Sequence, residues 1–232
     1  MEINKAGILE FLNEAFKKAV NCECQDIEKV KNLFCRFIDD NPQNFDKFFA
    51  SLEDVSIMLK KDLSFFVDSD PAVDNEEEII LSYPGFKAIA YYRIAHELRN
   101  LGIRIPSRII SEEAHSTTGI DIHPGAQIAC PFFIDHGTGI VIGETAIVGH
   151  HVKLYQGVTL GALSLSKGSK MRGIKRHPTI GNYVTIYSNA SILGDISIGN
   201  NVTIGGNVFL TESIADNTRV LLDKPQLVIS KK

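Results

Sequence analysis

Residues 180–210 read IGNYVTIYSNASILGDISIGNNVTIGGNVFL, and in this segment an aliphatic residue recurs every six positions. The same series begins earlier, and four positions after each member comes a residue that is small or apolar, with Thr138 and Ser164 the polar ones. The series consists of Ile122, Ile128, Ile134, Ile142, Val148, Leu154, Leu160, Ile180, Ile186, Ile192, Ile198, Ile204 and Leu210. Neither a helix, with its period near 3.6, nor an alternating strand has this spacing. A period of six predicts a parallel β-helix in which three hexads close one triangular coil.

Residues 1–115 follow a different pattern, typical of helices. Four stripes of apolar residues recur at helical spacing, at about 8–20, 27–38, 45–66 and 86–98. Phenylalanine is dense in this region and nearly absent from the repeats. We therefore predict an α+β protein, with an all-α domain at 1–115 that serves oligomerisation and a β-helix domain at 116–232.

Composition excludes several classes of function. The chain has 232 residues, 44% of them hydrophobic, and a formal net charge of −4, so nothing suggests binding to nucleic acid or to an anionic membrane. No apolar run is long enough to span a bilayer, and the acidic residues of the first twenty argue against a secretory signal. The Cys22 and Cys24 pair lacks further ligands at a metal-binding spacing, so we expect reduced thiols and a cytoplasmic protein.

The repeat is interrupted twice, and irregularities of this kind are where chemistry is expected. The step from Ile134 to Ile142 is eight residues long and contains Asp135-His136-Gly-Thr-Gly139. The gap from Leu160 to Ile180 is twenty residues, which we interpret as one coil of eighteen with an extruded loop at 161–179. That loop carries Lys167, Lys170, Arg172, Lys175 and Arg176 and no acidic residue, which suits an anionic ligand as well as it suits a solvated surface.

Three of the seven histidines lie in short polar clusters near these interruptions: His123, His136 and His177. A neutral imidazole is the standard general base near physiological pH. We interpret His150 and His151 as surface residues of a regular hexad. Asp70 precedes Pro71, which disfavours helical geometry, so we expect it to project from a loop.

Six segments, taken in chain order, resemble the serine O-acetyltransferase family. They are DPAVD (70–74), GFKAIAYYRIAHELRN, DIHPGAQI, IDHGTGIVIGETA, GVTLGA and KRHPTIG. The resemblance extends from about Asp68 to about Leu210 and implies a left-handed parallel β-helix. It also implies acetyl transfer from acetyl-CoA to the hydroxyl of L-serine, the first step of cysteine biosynthesis, with no tightly bound cofactor and no metal.

The resemblance assigns roles to individual residues. It implies that His136 is the general base and that Asp121 pairs with it. Asp70 and Asp135 would hold the ammonium group of serine, and Arg176 and His177 its carboxylate. Small residues would let coenzyme A lie against the coil, namely Gly161, Ala162, Ser188 and Gly206.

Assembly and regulation are implied as well. The family builds its active sites between the subunits of a homotrimer and often pairs two trimers through their helical domains. Cysteine would inhibit at the serine site. The family's tail ends in isoleucine and inserts into O-acetylserine sulfhydrylase. This chain ends in Lys232, so we do not expect that complex.

Other functions remain open. Acetyltransferases for homoserine, sugars or antibiotics share the repeat, although the helical leader and the DPAVD segment argue against sugar acceptors. A β-helix zinc carbonic anhydrase would take His136, His150 and His151, contributed by two subunits, as ligands. The acids beside His136 and the basic loop argue against it. A trimeric scaffold without catalysis is the third alternative.

Overall fold

The computed structural model describes residues 4–21, 26–164, 168–171 and 173–223, and it consists of six helices followed by a parallel β-helix. The helices are α1 (Lys5–Asn21), α2 (Ile27–Leu33, continued by a π-helical turn Phe34–Ile38), α3 (Pro42–Ser69), α4 (Glu76–Ser82), α5 (Pro84–Asn100) and α6 (Arg104–Thr118). This arrangement confirms the predicted fold class. The four stripes correspond to α1, α2, α3 and α5.

Local sequence explains where the helices begin and end. Asp26 and Asn41 accept hydrogen bonds from the first free N–H groups of α2 and α3, and Pro42 opens α3. Asn75 caps α4, whose first turn holds three glutamates, as the helix dipole favours. Gly119 ends α6 with φ 73°, a left-handed conformation that suits glycine.

Fourteen short strands form three faces, all with parallel pairing. Face A contains β1 (Asp121–Ile122), β4 (Val141–Ile142), β7 (Thr159–Gly161), β10 (Ser191–Leu193) and β13 (Phe209–Leu210). Face B contains β2 (Gln127–Ile128), β5 (Ile147–Val148), β8 (Thr179–Ile180) and β11 (Ser197–Ile198). Face C contains β3 (Phe132–Asp135), β6 (Val152–Tyr155), β9 (Thr185–Ile186), β12 (Thr203–Ile204) and β14 (Arg219–Val220). We name each corner by the faces that it joins in chain order: A–B, B–C and C–A.

The aliphatic series fills the inside of the coils. Ile142 pairs with Leu160 and Leu160 with Ile192, and all three side chains are at most 1% exposed. Complete burial of such a side chain stabilises a fold by about 1.5–3 kcal/mol. The six-residue period therefore sets both the register and the core.

The basic loop is a much longer insertion than expected. Leu160 is on face A and Ile180 on the next face, B, where it pairs with Val148. The twenty-residue step therefore spans one corner, where a regular step takes six residues. Interpreting the gap as one full coil was wrong, and the insertion at the A–B corner is much longer than the sequence arithmetic implied.

A buried ion pair joins the helices to the first coil. Arg93 of α5 donates from Nε to Asp62 Oδ2 at 2.7 Å and from Nη2 to Oδ1 at 3.0 Å. The same Asp62 accepts the N–H of Phe132 at 2.9 Å, and Arg93 Nη1 donates to the carbonyl of Ile128 at 3.2 Å. Helices α3 and α5 are thereby fixed against strand β3, which leads directly into the Asp135-His136 interruption.

Some sequence expectations concern residues outside the described ranges. Cys22 and Cys24 are among them, as are Lys167, Arg172 and the tail 224–232. Within the described ranges, Cys35 and Cys130 are free thiols. Among the helices described, none combines the length and the apolar character needed to cross a bilayer.

Candidate active site

His136 stands outside the coil at the C–A corner. It follows β3 with φ 55°, and the N–H of Gly137 donates to the carbonyl of Asp135 at 2.6 Å, which closes a three-residue turn around it. Gly137 itself has φ 86°, and a Cβ there would overlap the side chain of Ile120. The imidazole is 72% exposed, with Nδ1 3.6 Å from Asp135 Oδ1. A histidine with positive φ is uncommon, and such positions concentrate at functional sites.

Asp121 lies at the same corner, at the start of β1 on face A. The turn that carries His136 rests on the residues just before Asp121, because Gly139 donates to the carbonyl of Gly119 at 2.8 Å. The side chains of Asp121 and His136 nevertheless form no hydrogen bond or ion pair with each other in the described part of this single chain. One chain brings the two residues to one corner without pairing them.

Asp70 and Asp135 both lie near the same two tyrosines, Tyr83 and Tyr155. Asp70 is the residue at which α3 ends; its Oδ1 accepts the N–H of Ala72 at 2.9 Å and its Oδ2 accepts the hydroxyl of Tyr83 at 3.0 Å. Burial raises the pKa of Tyr83 to about 12, helped by that hydrogen bond and by the charges of Asp70, Glu78 and Asp135. Burial also raises the pKa of Tyr155, together with the charges of Asp135 and Asp70. Both carboxylates therefore act on both phenols, and two acids near one another favour a cation.

Arg176 and His177 lie elsewhere, at the A–B corner. Thr145 holds both: its Oγ1 accepts the N–H of Arg176 at 2.9 Å and that of His177 at 3.1 Å. His177 Nδ1 accepts the N–H of Thr145 at 3.0 Å, which places the ring proton on Nε2. A Cβ at Gly143 would overlap this imidazole, so glycine is required there.

The environment keeps His177 neutral. Burial lowers its pKa to about 4, and the charges of Arg176 and Lys175 act in the same direction. His123, at the same corner, behaves alike: burial lowers its pKa to about 4, partly opposed by Glu144. Neutral His177 can serve as a hydrogen-bond donor through Nε2.

Glu144 organises the charges at the A–B corner. Its Oε2 accepts from Arg176 Nη2 at 2.7 Å, and its Oε1 accepts from Nη2 of Arg99, a residue of α5, at 2.5 Å. The hydrogen bond from Arg176 lowers the pKa of Glu144 below its usual range. Arg176 Nη1 donates to the carbonyls of Met171 and Ile174, both at 3.3 Å. Arg176 thus ties the basic loop to the coil.

The small residues assigned to coenzyme A divide between two corners. Ser188 and Gly206 stack at the C–A corner, where Asn207 donates to the carbonyl of Ser188 at 2.9 Å. Gly161 ends β7 at the A–B corner, next to Ala162, and accepts the N–H of Gly194 at 3.0 Å. No single surface of one chain contains all four.

His150 and His151 lie at the B–C corner. Their Nδ1 atoms are 2.8 Å apart, and the ring of His151 stacks on Tyr183 with centroids 4.7 Å apart. One chain therefore does not bring them to His136, so a zinc site of these three would have to draw on two subunits. Within the described ranges, no group of three or more His, Cys, Asp or Glu side chains is arranged to hold a metal ion.

Sequence reasoning missed two residues that organise these clusters. Tyr83 precedes the quoted GFKAIAYY segment and carries no signal of its own besides the Pro-Gly that follows it. Glu144 lies inside the quoted IDHGTGIVIGETA segment, and an acid at a corner opposite a basic loop was a usable signal.

Comparisons with known proteins agree on one family. The bacterial transferase hexapeptide family (six repeats) matches residues 177–212. A serine acetyltransferase of Helicobacter pylori is 45% identical over 136 residues, which cover 59% of this chain and 76% of that protein. A plasmid-encoded serine acetyltransferase of Synechococcus elongatus is 48% identical over 170 residues, and the match covers 53% of that protein. The chain spans about half the length of the first curated relatives that it matches.

Solved structures match over nearly the whole chain. Serine acetyltransferase isoform 3 of Entamoeba histolytica, in complex with cysteine, has a TM-score of 0.84 and 35% identity, covering 96% of this chain and 84% of that one. A serine acetyltransferase of Brucella abortus, in complex with coenzyme A, has a TM-score of 0.70 and 29% identity, covering 91% and 78%.

Proposed function

Because this chain belongs to the serine acetyltransferase family, we propose that it transfers the acetyl group of acetyl-CoA to the hydroxyl of L-serine. The products are O-acetylserine and coenzyme A, and the reaction is the first step of cysteine biosynthesis. The observation that carries the proposal is the exposed imidazole of His136 next to Asp135, with Asp70 near enough for both acids to act on Tyr83.

The two acids suit the ammonium group of an amino acid. Two carboxylates at one corner attract a cation, and hydrogen bonds to charged groups are about twice as strong as neutral ones. Asp135 neighbours His136 in sequence, so an ammonium held between Asp70 and Asp135 brings the serine hydroxyl near the imidazole. A sugar hydroxyl offers these carboxylates no positive charge.

His136 then acts as the general base. Its imidazole removes the hydroxyl proton while the serine oxygen attacks the thioester carbonyl, and the tetrahedral intermediate collapses with loss of the coenzyme A thiolate. The imidazolium returns the proton to the leaving sulfur. Proton transfer of this kind contributes about 10²–10⁴-fold to a rate. Transfer is direct, without an acetyl-enzyme.

A complete site requires two subunits in this proposal. Asp70, Asp135 and His136 lie at the C–A corner of one chain, whereas Arg176 and His177 lie at the A–B corner. In a homotrimer each C–A corner meets the A–B corner of a neighbour, so Arg176 and neutral His177 of that neighbour bind the serine carboxylate. Asp121 orients the His136 imidazole and stabilises its protonated form across or within the interface.

The same interface accounts for the remaining expectations. Ser188 and Gly206 of one subunit face Gly161 and Ala162 of the next, forming a groove in which acetyl-CoA lies against the backbone. Cysteine, which shares the ammonium and carboxylate groups of serine, inhibits by occupying the serine site. The relative solved with cysteine and the one solved with coenzyme A support these two ligands.

The helical domain, 1–115, supplies Asp70 to the site and pairs trimers into hexamers in this proposal. The β-helix domain, 116–232, supplies the other site residues. We place the protein in the cytoplasm because both substrates are metabolites of that compartment.

The test is release of coenzyme A thiol with acetyl-CoA and L-serine, compared with L-homoserine and a panel of sugars. We expect turnover with L-serine. Thiol release with homoserine or a sugar and none with L-serine would assign the protein to another acetyltransferase class. Release with no acceptor would contradict the proposal outright.

A further inference from the structure

Both oxygens of the Asp70 carboxylate are held by this chain. Oδ1 accepts the N–H of Ala72 at 2.9 Å, a bond within its own turn, and Oδ2 accepts the hydroxyl of Tyr83 at 3.0 Å, a bond across helix α4. The second bond determines how the carboxylate is rotated. Each oxygen retains a lone pair for another donor.

Tyr83 is a rigid support for this bond. Its N–H donates to Ile79 at the end of α4, and its carbonyl accepts the N–H of Lys87 in the first turn of α5, both at 3.1 Å. The phenol ring packs edge-on against Phe66, with centroids 6.3 Å apart. Since residue 83 is the junction of two helices, the position of its hydroxyl is set by their packing.

That packing includes the strand that leads to Asp135. Gly85, two residues after Tyr83, lies so close to β3 that a Cβ there would overlap the carbonyl oxygen of Ile134. The backbone at Gly85 is therefore in direct contact with Ile134, the residue before Asp135. Tyr83 is therefore the side chain that links the position of Asp70 to that of strand β3, which ends at Asp135.

We propose that Tyr83 is a positioning residue, which orients Asp70 against Asp135 so that the two carboxylates together fit an ammonium group. The inference rests on the proposed function and adds a determinant of amino-acid affinity. Tyr83 stays protonated at neutral pH, since its pKa is raised, so its hydroxyl is a donor that offsets part of the repulsion between the two acids. Tyr83 acts through Asp70 and makes no contact with the reacting atoms.

The test is Tyr83→Phe, which removes one hydroxyl and keeps the ring against Phe66. A hydrogen bond to a charged group contributes about 1.5–3 kcal/mol, so we expect KM for L-serine to rise roughly tenfold or more. We expect kcat to stay within about twofold and KM for acetyl-CoA to remain unchanged, because Asp70 binds the amino group alone. The matched control is Tyr91→Phe, since the Tyr91 hydroxyl has no hydrogen-bond partner among the described residues and its ring packs against Phe16.

A second comparison separates positioning from a general effect on the fold. In an Asp70→Ala background, Tyr83→Phe should cause no further loss of kcat/KM for L-serine, because the residue through which Tyr83 acts is gone. An additive loss, a rise in KM for acetyl-CoA, or an unchanged KM for L-serine in Tyr83→Phe would overturn the inference. Absence of L-serine turnover in the unaltered protein would instead overturn the proposed function, and this inference with it.

Discussion

The C–A corner and the A–B corner use histidine in opposite ways. At the C–A corner His136 is 72% exposed, and its ring is near one carboxylate. At the A–B corner His177 and His123 are held by backbone N–H groups, and burial lowers the pKa of each to about 4. An exposed imidazole is available to exchange protons with a substrate, whereas a buried neutral one can only orient and donate. In the proposed mechanism, the C–A corner therefore supplies the base and holds the ammonium group, whereas the A–B corner binds the carboxylate.

The largest effect is expected from His136→Ala. Removing the base should lower kcat for L-serine by roughly 10²–10⁴-fold. The melting temperature should change little, because the side chain lies outside the coil. Thiol-release kinetics measure the loss, and His115→Ala, an exposed histidine of α6 beside Glu112, is the matched control. A loss of less than about tenfold would mean that the exposed imidazole is not the base.

The next effect concerns stability at acid pH. A histidine whose folded pKa is about 4 and whose ordinary value is 6.5 binds more protons unfolded than folded between those values, so stability falls as the pH falls through that window. From pH 7 to pH 5 we expect the free energy of unfolding to fall by about 1–2 kcal/mol for each of His123 and His177. Urea unfolding at fixed protein concentration measures it.

The variant His177→Gln tests the assignment of that pH dependence. Glutamine cannot titrate, so the difference between pH 7 and pH 5 should shrink by the contribution of His177. An identical pH dependence in the variant would show that His177 is already protonated or already exposed in the folded protein.

A smaller effect is expected from Glu144→Gln. The neutral amide weakens the hold on Arg176, so KM for L-serine should rise about fivefold, equivalent to roughly 1 kcal/mol, with kcat nearly unchanged. Glu112→Gln is the control, because Glu112 pairs with Arg108 on the exposed side of α6. If kcat falls and KM does not, the A–B corner takes part in the chemical step, and the division between the corners fails.

The smallest effect is expected at the third corner. His150→Gln should leave kcat and KM within about twofold of the original values, since His150 lies at the B–C corner beside His151 and Tyr183. Steady-state kinetics and elemental analysis for zinc check this together. Loss of bound zinc along with activity would favour the carbonic anhydrase alternative.

Sequence reasoning could predict the features that follow from the six-residue period. The inward residues from Ile122 to Leu210 set the strands and the core, and the interruption at 135–139 marks the corner that carries His136. The same reasoning failed for the gap before Ile180, because twenty residues fit either one full coil with a short insertion or one corner with a long insertion. Choosing between them requires knowing which face Ile180 joins.

The sequence does not predict which distant segments contact each other. Tyr83 reaches Asp70 across helix α4, and Arg99 of α5 reaches Glu144 on the coil. Neither pairing follows a helical or hexad spacing, since each depends on how the helices pack against the first coil through Asp62 and Arg93. The division of the site residues between two corners likewise follows from the triangular cross-section of the β-helix and not from the spacing of residues in the sequence.

The central claim is that each site combines His136 of one subunit with Arg176 of its neighbour. Subunits of His136→Ala and Arg176→Ala can be unfolded together in equal amounts, refolded as mixed trimers and assayed at an L-serine concentration at which each variant alone is nearly inactive. Random assembly gives about a quarter of the interfaces one intact His136 facing one intact Arg176, so we predict recovery of about a quarter of the original activity. Mixed trimers that form but remain as inactive as their parents would contradict the claim.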